Sequence, residues 1–401
     1  MKKRDMYIQK LINFKDTDLI KAITGMRRTG KSSVLLLYKE YLMNQGIDEE
    51  NILLINFESM KYKEKIKTYL DLYNYVEEFI GNKKDKVYVL LDEIQMVQEF
   101  EKAVNSFLVD FNIDVYITGS NAYLLSSELS TLLAGRFIEI KMYPLSFKEY
   151  IEFNENSDKS VKEKFENYLK YGGLPTVNFL NNEEEIITTY LKDIYNAVVF
   201  KDVVDRNNIG DIALLNNLLQ YIAQHTACIV SSNKIANYLK SDGVKTTHNT
   251  INNYLTYLEN AYIIYKTSRY NIKGKTILSS LGKYYMSDMG IRNAIVGYRD
   301  TDYGHVLENI VYLELLRRGY DVYIGKNDEY EIDFIATKES TKKYYQVAYR
   351  LSNDETMKRE IRSLNNIADH YEKSIITYDD NYIKDVNGIK FVNIIDFLME
   401  D

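Results

Sequence analysis

The eight residues Gly25-Met26-Arg27-Arg28-Thr29-Gly30-Lys31-Ser32 decide how the rest of this 401-residue chain is read. They stand between an apolar run, Leu19 to Ile23, and a segment, Ser33 to Asn44, whose apolar residues recur with helical periodicity. They therefore form the Gly-rich turn of a strand–turn–helix unit, and in that setting G-x-x-x-x-G-K-[ST] is a phosphate cradle. The glycines let backbone N–H groups turn inward around an anion, and the helix N-terminus adds positive potential. The Lys31 ammonium reaches β and γ oxygens, and the Ser32 hydroxyl ligates Mg²⁺. Gly25, Arg28, Thr29, Gly30, Lys31, Ser32 and Ser33 are the candidate binding residues, and ATP with Mg²⁺ is the predicted ligand.

Outward from this turn come a strand at Ile52 to Phe57, a helix at Leu70 to Ile80, and strands at Val87 to Leu91 and Asp114 to Thr118. Strands alternating with helices predict an α/β fold with a parallel sheet covered on both faces. The run Val87-Tyr88-Val89-Leu90-Leu91-Asp92-Glu93 delivers two carboxylates at a strand end, ahead of a predicted helix from Ile94 to Phe107. Asp92 is placed to hold Mg²⁺ with Ser32, and Glu93 to polarise the attacking water. The next strand ends in Gly119-Ser120-Asn121, where Asn121, with Ser120 beside it, is the candidate to touch the γ-phosphate or the water. A helix cap for the segment from Tyr123 is the alternative use of these side chains. In Leu133-Ala134-Gly135-Arg136-Phe137, Arg136 is the candidate source of transition-state charge, in cis or from a neighbouring subunit, with a structural salt bridge as the alternative.

Apolar residues make up 45% of the chain and charged residues 27%, so it has the material of a folded globular protein throughout. Its length fits two or three domains. One cysteine, Cys228, excludes an internal disulfide, no apolar run nears a membrane span, and no signal-peptide pattern precedes Asp5. These features predict a cytoplasmic protein with no membrane partner. A net charge of −7 gives no global support for nucleic-acid binding, so any such site must be local.

From Ser146 the pattern turns helical for roughly 100 residues, with a turn at Gly172-Gly173-Leu174-Pro175, which predicts a helical lid and a linker helix. Amphipathic helices at Ser231 to Leu239 and Thr246 to Ala261, then alternating segments at Tyr262 to Tyr270 and Gly282 to Ser287, predict a winged helix-turn-helix. Between Ser231 and Tyr285 there are eight Lys or Arg against Asp242 and Glu259, a basic module in an acidic chain. Thr247, His248 and Asn249 would lead the second helix into a major groove, while Lys266, Arg269, Lys273 and Lys275 meet phosphates. The predicted partner is double-stranded DNA, with packing or protein contact as the alternative use of the module. The expected organisation is an ATPase core over 1–145, lid and linker over 146–210, winged helix over 211–290, and a last α/β domain over 291–401.

The first half resembles the AAA-type P-loop ATPases of bacteria and archaea that carry an uncharacterised C-terminal domain. The resembling residues are the P-loop with Arg27-Arg28, Leu91-Asp92-Glu93-Ile94-Gln95, Thr118-Gly119-Ser120-Asn121, Leu133 to Arg136, Tyr143-Pro144-Leu145-Ser146-Phe147 and Gly172 to Pro175. The resemblance implies Walker A, Walker B, sensor and arginine roles for the residues named above, with homo-oligomers or a protein partner among the expected assemblies. It also implies that a winged helix and a nuclease-like fold follow. The last unit resembles the PD-D/E-x-K nucleases through Glu308, Glu331-Ile332-Asp333-Phe334 and Tyr345-Gln346-Val347-Ala348. Gln346 stands at the acidic position and Ala348 at the lysine position, so the resemblance implies a degenerate site in which metal-dependent cleavage is lost or very weak, with Glu308, Glu331 and Asp333 still able to hold a metal. Three functions follow as expectations: ATP hydrolysis coupled to a DNA-binding C-terminal region, a signalling or scaffold ATPase with protein partners, and, disfavoured, an ATP-regulated nuclease.

Overall fold

A computed structural model describes residues 2–122, 135–180, 183–299, 302–351, 354–380 and 384–400. The Leu133-Ala134 part of the Arg136 motif and the segment from Tyr123 lie outside the described residues. The chain divides into two compact units, Met1–Met142 with Asn260–Tyr262, and Tyr143–Glu259 with Ile263–Asp401.

The first unit contains α1 (Asp5–Asn13), β1 (Ile20–Thr24), α2 (Lys31–Asn44), β2 (Ile52–Asn56), α3 (Tyr69–Ile80), β3 (Val87–Asp92), α4 (Phe100–Asp110), β4 (Ile113–Gly119) and β5 (Phe137–Lys141). Its five strands are all parallel in the order β2-β3-β4-β1-β5. Every residue of β1, β3 and β4 is buried, as expected for strands with both faces covered. Ile20, Ala22, Val89, Leu91 and Val115 turn to one face and pack with Leu72, Val104 and Phe107 of α3 and α4. Ile23, Leu90 and Tyr116 turn to the other and pack with Tyr7, Leu35 and Tyr38 of α1 and α2. The alternation follows from the two-residue side-chain period of a strand.

The helix expected from Ile94 does not start there. Glu93 and Glu99 both take left-handed backbone conformations, at φ 56° and 54°, with a short 3₁₀ turn at Ile94–Met96 between them. A left-handed residue cannot continue an α-helical ladder, so α4 begins at Phe100.

The second unit begins with α5 (Phe147–Phe153), α6 (Val161–Tyr171), α7 (Glu184–Ala197) and α8 (Ile212–Gln224). Next come β6 (Ile229–Val230), α9 (Ser232–Ser241), α10 (His248–Asn260), β7 (Ile264–Asn271), β8 (Thr276–Met286), α11 (Met289–Val296) and α12 (Tyr303–Arg317). It closes with β9 (Asp321–Asn327), β10 (Tyr330–Lys338), β11 (Thr341–Ala348), α13 (Asp354–Asn365), β12 (Glu372–Thr377), β13 (Asp385–Val386), β14 (Ile389–Asn393) and α14 (Ile394–Met399). The hairpin expected as the wing is part of a nine-stranded sheet in the order β13-β14-β12-β11-β10-β9-β7-β8-β6. β7 joins it by parallel pairing to β9, Arg269 opposite Ile324 and Asn271 opposite Lys326.

The glycine pair at 172–173 receives a buried carboxylate. Gly173 N donates to Asp288 Oδ2 at 2.7 Å, and a Cβ on Gly172, which sits at φ 75°, would lie 2.2 Å from Asp288 Oδ1. Asp288 also caps α11 through Ile291 N at 3.0 Å. Among the described residues no helix is long and apolar enough to cross a membrane.

Candidate functional site

The chain leaves β1 at Thr24 and turns through residues 25–30 into α2. Gly25 sits at φ 142°, and a Cβ there would lie 2.1 Å from the Met142 carbonyl oxygen, so a side chain requires the backbone to move. Gly30 is the left-handed N-cap of α2, at φ 101°, and no side chain caps the helix. The first-turn N–H groups and the dipole of a 14-residue helix are thereby available to an anion. Thr29 is fully buried and its hydroxyl donates to Met26 O at 2.9 Å, bracing the turn from inside. Arg28, at φ 68°, and Ser33 are exposed, whereas Ser32 is half-buried. Lys31 is only 3% exposed and its ammonium donates to Gly25 O at 3.0 Å and Met26 O at 3.1 Å.

β3 carries the two acids to the same end of the sheet. Asp92 Oδ1 accepts from the Thr118 hydroxyl at 2.6 Å, Asp92 Oδ2 accepts from Asn56 Nδ2 at 2.7 Å, and the Ser32 hydroxyl bonds to the same carboxylate. Burial lifts the Asp92 pKa above the ordinary aspartate value, and the neighbouring Glu93 charge adds to the lift against the Thr118 and Ser32 hydrogen bonds. A hydroxyl beside a buried carboxylate is the hard-oxygen pair that suits Mg²⁺, and an uncapped helix end with a buried ammonium suits a polyphosphate. The donor set therefore fits ATP with Mg²⁺.

The left-handed turn at Glu93 bends its side chain toward the P-loop. Glu93 Oε1 lies 3.9 Å from Lys31 Nζ, and Oε2 accepts from the Ser120 hydroxyl at 3.3 Å and from Gln95 Nε2. Glu93 N donates to the Thr118 hydroxyl at 2.9 Å, so one threonine fixes both acids. Asn121, 2% exposed, follows Ser120 directly off β4 at this same strand end.

Arg136 is elsewhere. Ile20 N donates to Arg136 O at 2.8 Å and Ile20 pairs with Phe137, which sets Arg136 at the start of β1 while the P-loop leaves its end. Five strand residues, roughly 16 Å at about 3.3 Å each, separate the two edges. That span exceeds an arginine's reach, so the expectation of a role in cis is corrected. A neighbouring subunit's site and a structural ion pair are the uses left to this exposed residue.

In the second unit Thr247, His248 and Asn249 are exposed at the start of α10, with Thr247 Oγ1 capping Thr250 N at 3.2 Å. Lys266, Lys273 and Lys275 are exposed, and Arg269 is half-buried on β7. Lys273 is ion-paired to Asp328. Lys283, one of the eight cations of this stretch, is 4% exposed and bound by carboxylates, so it is lost to any phosphate surface.

Residues 17–151 match the family described as AAA domain, and residues 162–302 match the Domain of unknown function (DUF8612). An uncharacterized protein of Haemophilus influenzae is 42% identical over 399 residues, covering 99% of this chain and 98% of that one. The chain belongs to its family of AAA-type ATPases. A second relative of this AAA-type ATPase, the uncharacterized protein MJ1544 of Methanocaldococcus jannaschii, is 34% identical over 379 residues, covering 90% of this chain and 82% of that one. Among solved structures the Walker-type ATPase of Pyrococcus abyssi superposes with a TM-score of 0.52 at 16% identity, covering 74% of this chain and 96% of that one. At that identity the likeness is one of fold alone.

Three residues of the AAA-type site escape a sequence reading. Gln95 stands in the quoted Asp92-Glu93-Ile94-Gln95 string without a role, yet it bonds to Glu93. Asn56 ends β2, and its contact with Asp92 is visible only through strand order. Arg4, 3% exposed, donates to Thr29 O at 3.0 Å and stacks over Tyr7 at 4.6 Å, clamping the P-loop from 25 residues upstream.

Proposed function

We propose that this AAA-type ATPase hydrolyses ATP with Mg²⁺ held by Ser32 and Asp92, and that turnover is coupled to duplex DNA engaged by α10 and the β7–β8 hairpin. The observation that carries the hydrolytic part is the meeting of Lys31, Asp92 and Glu93 at one strand end, with the Glu93 carboxylate 3.9 Å from the ammonium. On binding, Lys31 exchanges its bonds to Gly25 O and Met26 O for phosphate oxygens, at no cost in unpaired donors. When bound, Mg²⁺ supplies positive charge to the developing phosphoryl oxygens. Glu93 accepts the proton of the attacking water once it is released from Gln95 and Ser120. Asn121 orients the water or the γ-phosphate, and Arg136 serves the site of a neighbouring copy, which makes the active form a homo-oligomer.

The DNA part is supported by the exposed Thr247, His248 and Asn249 at a helix N-terminus, with Lys266 and Lys275 exposed on the hairpin. A second reading, with protein partners only, is favoured by the pairing of Lys273 and the burial of Lys283, which thin the phosphate-facing charge. One titration separates them: ATP turnover with increasing duplex DNA at low salt. DNA-dependent turnover supports coupling, while turnover indifferent to DNA, with no DNA bound with or without ATP, leaves the protein-partner reading.

A further inference from the structure

The Glu308, Glu331 and Asp333 carboxylates converge on an ammonium. Lys283 Nζ, from β8, lies 2.8 Å from Glu308 Oε1 on α12, 2.9 Å from Glu331 Oε1 and 3.5 Å from Asp333 Oδ1, both on β10. Lys283, Glu308 and Asp333 are 4, 6 and 8% exposed, so the cluster is largely closed to water. Further bonds to these residues come from within the fold. The Tyr285 hydroxyl donates to Glu308 Oε1 at 2.7 Å, Val347 N donates to Asp333 Oδ2 at 2.9 Å, and Asp333 N donates to the Gln346 side-chain oxygen at 3.1 Å. The metal implied by the nuclease resemblance does not fit this arrangement. The lysine absent from position 348 arrives from another strand and points into the carboxylates, where a metal would need them free. With the ammonium among them these carboxylates form no metal-holding group, and among the described residues there is no other group of three or more His, Cys, Asp or Glu arranged to hold a metal ion.

We infer that the Lys283 ammonium is the resident cation of this three-carboxylate site, permanently taking the place of a divalent metal and tying β8 to α12 and β10. An ammonium donates along three directions, and here it is met by three carboxylates on two elements. Burial alone would lower the Lys283 pKa, but the charges of Glu308, Asp333 and Glu331 outweigh it and keep the ammonium protonated. A divalent ion would have to expel a charged, fully satisfied side chain into solvent.

Nothing here depends on the nucleotide site, so nucleotide-free full-length protein suffices for the test. In wild-type protein, amine acylation read by mass spectrometry should modify Lys283 more than roughly tenfold more slowly than the exposed Lys266 and Lys275, since a tenfold smaller neutral fraction accompanies each step of one in pKa. Millimolar Mn²⁺ should leave that protection unchanged. Lys283→Ser should lower Tm by about 5–10 °C, as expected for a buried ion pair broken from one side, and Mn²⁺ should restore most of the loss. The same restoration should be absent in Lys283→Ser with Glu308→Gln. Mn²⁺ that exposes Lys283 to acylation in the wild type would overturn the inference, because the metal would then own the site. A folded Lys283→Ser protein indifferent to Mn²⁺ would overturn it as well. If Lys283→Ser does not fold even with Mn²⁺, the acylation result on wild-type protein decides alone.

Discussion

Lys31 Nζ stands 3.9 Å from Glu93 Oε1 while its hydrogen bonds go to the carbonyls of Gly25 and Met26 in its own loop. The ammonium is thus held inside the cradle, a few ångströms from the group placed to accept the water proton. Lys31→Ala removes the ammonium proposed to meet the β and γ oxygens and leaves the α2 N-terminus and β1 in place. Nucleotide affinity and turnover should fall to near background while the far-ultraviolet spectrum and Tm stay close to wild type. Unchanged affinity and turnover in a folded variant would sink the nucleotide-site reading.

Glu93→Gln should behave differently. Lys31, Ser32 and Asp92 remain, so ATP binds, but the water loses its acceptor and single-turnover hydrolysis should fall about 10²–10⁴-fold, the usual worth of a positioned base. The amide can still bond to Ser120 and Gln95, so the left-handed turn at residue 93 is kept. Turnover near wild type would assign Glu93 to capping and another group to the water.

The ATPase half was legible because its chemistry is local. The P-loop, Asp92 and Glu93 sit on contiguous stretches whose spacing carries the geometry, and all three occupy one end of the predicted parallel strands. The left-handed residues Glu93 and Glu99 carried no such mark, since glutamate rarely adopts that conformation, and the helix predicted from Ile94 ran through Glu99. Tyr143 to Phe147 and Gly172 to Pro175 were visible as motifs, yet their work is tertiary. Leu145 N donates to Gly173 O at 2.7 Å, and Arg317 Nη2 donates to Pro144 O at 3.2 Å from the far end of α12. The pairing of β7 with β9 crosses two helices, and β12 and β14 are too short for their alternation to stand out. Lys283 lies 25 to 50 positions from the carboxylates it meets, and no spacing rule connects it to them.

Arg136 tests assembly. It leaves the strand edge opposite the P-loop of its own chain, so the role proposed for its guanidinium is in a neighbouring copy's site. Arg136→Ala and Lys31→Ala proteins should each be inactive, and mixing them under conditions where subunits exchange should restore part of the ATPase activity, since some sites then pair an intact P-loop with an intact arginine. No recovery in a demonstrably mixed population would remove the trans role.

Asp288 makes the second unit sensitive to pH. Its carboxyl is 2% exposed, and burial pushes its pKa up to about 6 against the backbone bonds from Gly173, Ile291 and Gly290 that pull it down. In an unfolded chain the value is about 3.9. The folded state therefore binds more protons between these values, and stability fully present below about pH 4 is lost as pH rises through 6. The slope is at most about 1.4 kcal/mol per pH unit. Urea unfolding of the wild type at pH 5 and pH 7 should show this loss, and Asp288→Asn, which keeps one acceptor oxygen, should flatten it. Identical pH slopes in the two proteins would mean that Asp288 ionises as freely in the fold as outside it.

The hairpin cations are the test of DNA binding, and the structure narrows which of them count. Lys266 and Lys275 are exposed, Arg269 is half-buried, Lys273 must leave Asp328 before meeting a phosphate, and Lys283 is committed elsewhere. Replacing Lys266, Arg269, Lys273 and Lys275 together should weaken duplex binding at low salt and flatten the log–log salt dependence by roughly 0.9 for each phosphate no longer neutralised. Lys266 and Lys275 alone should account for most of that change, because among the described residues neither has an ion pair to give up. Asn249→Ala, at the exposed start of α10, should instead leave the salt slope unchanged and alter sequence preference, since an amide reads base edges and carries no charge. Neither set should cleave DNA with Mg²⁺ or Mn²⁺. Wild-type protein that binds no duplex at low salt, with or without ATP, would assign this surface to a protein partner, and metal-dependent nicking abolished by Asp333→Ala would return the C-terminal cluster to catalysis.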